Sequence, residues 1–250
     1  NPLKFFTMPS TTETGHAKNV ANFHNLIDFC TGYGTNYAPS RSDLKITNLK
    51  SLESDAQNAL ADVIAKRVLF NNAVNVRMDI FAGLKSLSTR LLNALEATDA
   101  SDQLIKDAKT INKKIQGKRA TKVETPTDSN TPVPITISTS QQSYDQLIQH
   151  FSALIELLQS EPSYAPNEAA LKITTITSYR NDLLTKNNDV SSKYTDVSNS
   201  RINRDRILYA GHTGLVYIAQ EVKKYVKSVF GASSQEYGQV TGIKFTLKKI

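Results

Sequence analysis

Apolar residues recur along the chain at intervals of three and four, which is the spacing of an amphipathic α-helix. Two segments show this spacing most regularly, residues 144–158 and residues 215–230. The apolar positions of the first segment are Tyr144, Leu147, Ile148, Phe151, Leu154, Ile155 and Leu158. Those of the second are Leu215, Ile218, Ala219, Val222, Tyr225, Val226, Val229 and Phe230. Each spacing predicts a helix with one buried face, and Gly231 is the expected C-terminal cap of the second helix.

A longer helix is predicted between these two, from about Asn167 to Tyr209, because this stretch contains neither Gly nor Pro. Asn167 is the expected N-cap, and Gly211 and Gly214 should end the helix. Its apolar residues lie largely seven apart, as in a coiled-coil seam, at Leu171, Ile176, Leu183, Val190 and Val197. At 1.5 Å per residue, about 40 residues would make a helix roughly 60 Å long.

The chain also repeats itself. Tyr37-Ala-Pro39 and Leu44-Lys-Ile-Thr47 recur 127 residues later as Tyr164-Ala-Pro166 and Leu171-Lys-Ile-Thr174, with the same gap between the two motifs. The same offset relates Arg77 to Arg204. Seven identities at a constant register indicate an internal duplication.

The duplication and the periodicity together predict the fold and its boundaries. Each copy should form a bundle-like unit of three helices, one of them long. The predicted fold class is therefore all-α, with two tandem repeats of this unit in an elongated molecule. Residues 1–120 are predicted to be the first repeat with an N-terminal arm, and residues 143–250 the second. Pro, Thr and Ser are concentrated in residues 121–142, which should be an extended linker. The alternating pattern over 239–247 predicts a short extended tail.

Three phrases in the chain resemble a known group of proteins. They are Asn19-Val-Ala-Asn-Phe23, Lys109-Thr-Ile-Asn-Lys-Lys-Ile-Gln-Gly117 and Glu221-Val-Lys-Lys-Tyr-Val-Lys-Ser-Val-Phe-Gly231. They look like a family of uncharacterised, duplicated helical proteins found mostly in Bacteroidetes bacteria, and the resemblance covers most of the chain. It implies a bacterial source, and it implies no activity, ligand or site residue.

Composition restricts the function classes further. Lys and Arg number 30 against 23 Asp and Glu, for a formal net charge of +7 and a pI near 9.3. No apolar run reaches the roughly 20 residues of a membrane span. The basic residues form three modest clusters, at Lys113, Lys114, Lys118, Arg119 and Lys122, at Lys223, Lys224 and Lys227, and at Lys244, Lys248 and Lys249. Clusters of this size favour solvated faces, with a nucleic acid or anionic surface as the alternative partner.

The chain lacks a recognisable catalytic or metal-binding motif. Its one cysteine, Cys30, excludes an internal disulfide and fits a small buried hydrophobe better than a nucleophile. His24 and Asp28 lie four apart on one predicted helix, but two ligands do not make a metal site. Gly32-Tyr-Gly34 lacks the remaining residues of a phosphate loop, and it is predicted to be the C-terminal turn of a helix. We therefore expect no enzyme activity, no cofactor and no metal.

Four residues shared by the two copies are candidates for structural or binding roles. Tyr37 and Tyr164 precede the two long helices, where a ring can pack on the bundle end while its hydroxyl reaches a loop carbonyl. The alternative for them is a twofold-related ligand cleft. Arg77 and Arg204 should clamp a neighbouring helix or the linker, with phosphate binding as the alternative. Asp205 is expected to pair with Arg201, four residues before it.

These observations predict a non-catalytic interaction or structural protein, because long helices offer a large, stiff lateral surface and a duplication offers two of them. The expected partner is another protein or a second copy of the chain. The alternative function is a basic protein associated with nucleic acid or an anionic surface, using Lys223, Lys224, Lys227 and the C-terminal lysines. Asn1–Ser10 lacks the apolar core of a signal peptide, so the expected location is the cytoplasm.

Overall fold

The structure is a computed structural model that describes residues 11–117 and 142–248. Within these residues the protein is helical and contains no β-strand. The α-helices are α1 (Thr11–Gly32), α2 (Ile46–Ala82), α3 (Leu84–Glu96), α4 (Asp102–Gln116), α5 (Tyr144–Gln159), α6 (Ile173–Tyr209), α7 (Leu215–Phe230) and α8 (Gln235–Thr241). Short 3-10 turns lie at Gly34–Asn36, Ser42–Leu44 and Ala169–Leu171. The all-α fold class is therefore correct.

Most of the predicted helices are present, with corrected ends. The long helix α6 has 37 residues but begins at Ile173 and not near Asn167, because Lys172 has an extended backbone that interrupts the helical path. Gly231 ends α7 with φ of 95°, as expected for a residue that tolerates positive φ. The apolar positions of α7 are buried or partly buried except Val229, which lies on the same face but in the last turn of the helix and is exposed.

Two helices were not predicted. In the first half of the sequence, α4 begins at Ser101, whose hydroxyl accepts a hydrogen bond from the backbone N–H of Leu104. In the second half, Ser234 caps α8 in the same way, so the first part of the expected extended tail is helical. The prediction of three helices per repeat missed α8 because it has only seven residues, and it missed α4 because the apolar positions that include Ala108 and Ile115 were not recognised as a separate stripe. The linker prediction lies outside the described residues except for Gln142.

The chain forms two compact units that differ from the predicted tandem repeats. Among the described residues, unit 1 comprises residues 11–69 and 193–248, and unit 2 comprises residues 70–117 and 142–192. This division crosses the predicted boundaries at 1–120 and 143–250, which stay a prediction. The reason is that α2 and α6 are continuous over 37 residues each, and each contributes one part to unit 1 and the other part to unit 2.

Unit 1 has its own hydrophobic core. Helix α1 from the first half of the sequence packs with α7 and α8 from the second half, together with the beginning of α2 and the end of α6. Its buried apolar residues include Phe23, Leu26, Ile27, Leu49, Ala56, Leu208, Leu215, Val222, Val226 and Val240. Because these side chains come from both sequence halves, neither half contains the complete core.

Unit 2 is assembled in the reciprocal way. Helix α5 from the second half packs with α4 from the first half, and α3, the end of α2 and the beginning of α6 complete the core. Its buried apolar residues include Phe81, Leu84, Leu91, Leu95, Ile115, Phe151, Leu154, Leu158, Ile176 and Leu183. The stripe predicted for residues 144–158 thus faces this core.

Candidate functional site

The two tyrosine corners have the same geometry. Tyr37 donates a hydrogen bond from its hydroxyl to the carbonyl oxygen of Leu44 at 2.8 Å, in unit 1. Tyr164 donates to the carbonyl oxygen of Leu171 at 2.9 Å, in unit 2. Both side chains are buried, and both acceptors end the 3-10 turn that precedes a long helix. The predicted hydrogen bond to a loop carbonyl is therefore present at each corner, and the hydroxyls are engaged within the protein.

Burial keeps the groups at these corners uncharged. It raises the pKa of Tyr164 to about 12, with a further contribution from the Glu168 carboxylate. It also raises the pKa of Tyr37, which lies near the Cys30 thiol. The pKa of Cys30 itself rises to about 12 for the same reason. A thiol of this kind is protonated at neutral pH and is a poor nucleophile, in agreement with its interpretation as a buried hydrophobe.

Arg77 clamps helix α5 within unit 2. Its guanidinium lies 4.0 Å from the centre of the Tyr144 ring and donates a hydrogen bond to Oδ1 of Asn187 at 3.0 Å. Asn187 in turn donates to Oδ1 of Asp145 at 2.7 Å. This network joins α2, α5 and α6, so the predicted clamp on a neighbouring helix is present. Asn187 and Asp145 were not identified from sequence, because only the tertiary fold brings them to Arg77.

Arg204 is nearly fully buried in unit 1, where it is paired with a carboxylate. Two of its guanidinium nitrogens contact Oδ1 of Asp205, at 3.0 and 2.9 Å. Lys248 contacts the other oxygen of Asp205 at 2.6 Å. Although Asp205 is partly buried, these two cations lower its pKa. The expected Arg201–Asp205 pair is thus replaced by contacts with Arg204 and Lys248, because Arg201 lies on the exposed side of α6.

The burial of both arginines could have been predicted from the seven-residue spacing of apolar residues in the long helices. The buried or partly buried series Leu49, Ala56, Val63 and Phe70 of α2 continues to Arg77. The series Ile176, Leu183, Val190 and Val197 of α6 continues to Arg204. A charged residue at a core position of a seam must be paired or stacked, which is what both arginines do.

The three lysines of α7 all have partners in unit 1. Lys223 donates a hydrogen bond to the carbonyl oxygen of Ile243, and its ammonium lies 5.2 Å from the centre of the Phe245 ring. Lys224 pairs with Glu221 at 2.7 Å. Lys227 lies 5.6 Å from the centre of the Tyr237 ring. Lys223 is therefore part of the packing, and burial, followed by the nearby Lys244, lowers its pKa.

His24 has two carboxylate neighbours. Its Nδ1 lies 2.7 Å from Oε1 of Glu53, and its Nε2 lies 3.3 Å from Oδ2 of Asp28. Because the two carboxylates contact opposite sides of the imidazole ring, the three groups cannot surround one ion. Across residues 11–117 and 142–248, no group of three or more His, Cys, Asp or Glu side chains is arranged to hold a metal ion. The helices in this part of the chain also lack the combination of length and apolarity that crossing a bilayer requires.

The long helix α2 exposes apolar side chains. Within unit 1, Ile64 is 66% exposed and Val68 is 52% exposed, and these residues lie four apart on α2, outside the buried stripe of Ala56, Ala59 and Val63. Leu69 is also exposed. We call Ala61, Ile64, Ala65, Val68 and Leu69 the α2 outer face; all five are exposed and none carries a charge. Sequence reasoning missed this face because it considered only the apolar residues that match the core period.

Comparisons with known proteins do not assign the chain to a family. No family model, curated protein or solved structure matches the chain. The resemblance to uncharacterised Bacteroidetes proteins therefore stays a prediction.

Proposed function

We propose that this chain is a non-catalytic helical interaction protein that associates with a second copy of itself through the α2 outer face. The observation that carries the proposal is the exposure of Ile64 and Val68, one turn apart on α2, with Asp62, Lys66 and Arg67 as neighbours outside the face. Solvent-facing positions of a surface helix are ordinarily polar or charged, and a row of exposed apolar side chains marks a contact surface.

The composition of the face suits a second copy. It consists of branched apolar residues, Ile64 and Val68, alternating with the small residues Ala61 and Ala65. In an antiparallel pair of identical helices, Ile64 of one chain can pack against Val68 of the other, and the small residues allow the helices to approach closely. No like charges oppose each other across such a contact, because the face carries none.

An internal duplication is the proposed origin of the architecture. The repeated motifs, the identical tyrosine corners and the equal lengths of α2 and α6 support it. In the repeat register, Ile64 and Val68 of α2 correspond to Ser191 and Thr195 of α6, which are also exposed. The apolar outer face therefore belongs to one copy only. Such a difference is what specialisation of one copy for contact would produce.

The contacts of the basic residues support protein association over a nucleic-acid or anionic-surface function. Lys223 is committed to a backbone carbonyl, Lys224 to Glu221, and Lys248 to Asp205. Phosphate binding needs lysines and arginines that are available to the ligand. These side chains would have to give up intramolecular partners first.

Sedimentation equilibrium of the full chain tests the proposal. We expect a dimer at micromolar concentrations, and a monomer for the double variant Ile64→Glu/Val68→Glu, because four carboxylates would meet in the contact. The matched control is Ala21→Glu/Asn25→Glu, which places two carboxylates with the same four-residue spacing on exposed positions of a different helix, α1. A wild-type chain that stays monomeric up to hundreds of micromolar, or a double variant that dimerises like the control, would refute the proposal.

A further inference from the structure

Residues 243–248, which we call the strap, follow α8 and lie across unit 1 without regular secondary structure. Side chains from three helices hold it, and we call these four residues the groove: Asn19 and Asn22 of α1, Asp205 of α6 and Lys223 of α7. Every groove residue bonds the strap, and three of the four bond its backbone. The groove therefore binds the strap in the way that a folded protein binds a peptide, although both belong to the same chain.

Asn19 binds the strap as a neighbouring β-strand would. Its Nδ2 donates to the carbonyl oxygen of Thr246 at 2.9 Å, and its Oδ1 accepts from the N–H of the same residue at 2.8 Å. Asn19 is only 1% exposed and lies on the apolar side of α1. A buried amide is costly unless both its donor and its acceptor are satisfied. An amide at this position is thus suited to a peptide backbone that lies across it.

The second asparagine extends the same recognition. Asn22 donates from Nδ2 to the carbonyl oxygen of Lys244 at 2.6 Å. Residues three apart on a helix are about 5–6 Å apart, and carbonyls two residues apart in an extended chain are separated by roughly 6.5 Å. The pair Asn19 and Asn22 therefore matches the repeat of an extended peptide, and Lys223 binds the carbonyl oxygen of Ile243 beside it.

The side chains of the strap add selectivity. Ile243 and Phe245 are partly buried against the core of unit 1, whereas Lys244 and Thr246 between and after them are exposed. The Phe245 ring lies under the Lys223 ammonium, and Lys248 pairs with Asp205 at 2.6 Å. The bound pattern is an apolar residue, any residue, an apolar residue, two further residues and a lysine.

We propose that the groove is a recognition site for an extended peptide of this pattern, with the strap as its intramolecular occupant and a protein segment of the same pattern as its partner in trans. This surface is distinct from the α2 outer face and does not depend on self-association. A partner segment binds by displacing the strap. The free energy needed to displace the strap lowers the observed affinity for the partner segment.

Fluorescence anisotropy with a labelled synthetic peptide, the sequence of residues 242–250, tests the proposal. The full-length double variant Phe245→Ala/Lys248→Ala weakens the strap and leaves the groove unchanged. We expect the peptide to bind this variant at least tenfold more tightly than the wild-type chain, whose own strap competes at an effective concentration of about a millimolar. Equal, negligible binding to both chains, with both cooperatively folded, would overturn the proposal.

A modified peptide isolates the backbone contact without changing the protein. N-methylation at the position of Thr246 removes the N–H that Asn19 accepts, and we expect it to weaken binding at least tenfold. The control carries the methyl group at the position of Leu247, where none of the four groove residues bonds the backbone. Equal binding of the two methylated peptides would contradict recognition through Asn19.

Hydrogen exchange of the wild-type chain provides a measurement that needs no variant. Saturating unlabelled peptide should raise the exchange rate of the chain's own amides at Phe245–Lys248, because the strap leaves the groove. Unchanged exchange at saturation would refute displacement. Because the monomeric variant Ile64→Glu/Val68→Glu retains the groove, the same measurement on it separates this inference from the proposed dimer.

Discussion

At the scale of single residues, the tyrosines and arginines that lie at the corners and on the apolar stripes make their contacts inside the protein. Tyr37 and Tyr164 fix the approach to the two long helices by bonding a carbonyl seven residues later. Arg77 reaches an aromatic ring and an amide, whereas its counterpart Arg204 reaches a carboxylate. The two arginines, which lie 127 residues apart, thus have different kinds of partner because each meets a different set of neighbouring side chains.

Replacement of Tyr164 by Phe tests the corner at this scale. The variant leaves the Leu171 carbonyl without its buried donor, so we expect a loss of about 1–3 kcal/mol in the free energy of unfolding. The matched control, Tyr217→Phe, keeps the ring contact with His212 and should stay within about 0.5 kcal/mol of the wild type in urea denaturation. An equally small change for both variants would show that the corner contributes nothing to stability.

The raised pKa of Tyr164 also predicts how stability depends on pH. Its folded-state pKa of about 12 lies above the ordinary value of 10.0, so its contribution is complete below pH 10 and is lost as pH rises from 10 through about 12. The Tyr164→Phe variant should therefore lose less stability than the wild type over this range. Urea denaturation at a series of alkaline pH values checks this, and parallel curves for the two proteins would contradict it.

At the scale of helices, the buried face of α7 ends before the helix does. Val222 and Val226 are fully buried, but Val229 is 43% exposed although it continues the same spacing. Lys223, which would be a solvent-facing residue by position alone, is partly buried under the strap. The neighbours of a helix therefore decide which of its borderline positions are covered.

This difference supplies a matched pair of substitutions on one helix. Val226→Asp should bury an unpaired carboxylate and lower the free energy of unfolding by roughly 3–5 kcal/mol or unfold unit 1. Val229→Asp introduces the same group one turn later in a position open to water, and should shift the melting temperature by only a few degrees. Equal thermal shifts, followed by circular dichroism, would show that the register of α7 is wrong.

At the scale of the whole molecule, each compact unit combines helices from both halves of the sequence. Unit 1 joins α1 with α7 and α8, and unit 2 joins α5 with α3 and α4. The two long helices contribute to both units. Neither half of the sequence therefore contains all the side chains of either core.

The exchanged arrangement predicts how fragments behave. A fragment of residues 1–120 contains α1 without α7, and a fragment of residues 143–250 contains α5 without α4, so each lacks a part of both cores. We expect each alone to show a broad, non-cooperative melt by circular dichroism, and the mixture to regain a cooperative transition. A sharp transition in the isolated 143–250 fragment near that of the intact chain would contradict the exchange.

The sequence by itself determined the helical class, the stripes of α5 and α7, the interruption at Gly211 and Gly214, and the two tyrosine corners. These depend on interactions within a few residues, which periodicity and capping signals report directly. Only the tertiary structure decided that the long helices are divided between two units, that Arg77 meets Asn187, and that Asn19 binds the strap. The partners in these contacts lie 110 or more residues apart along the chain. Their pairing depends on which apolar faces complement each other in three dimensions, and a single sequence carries no local signal of that choice.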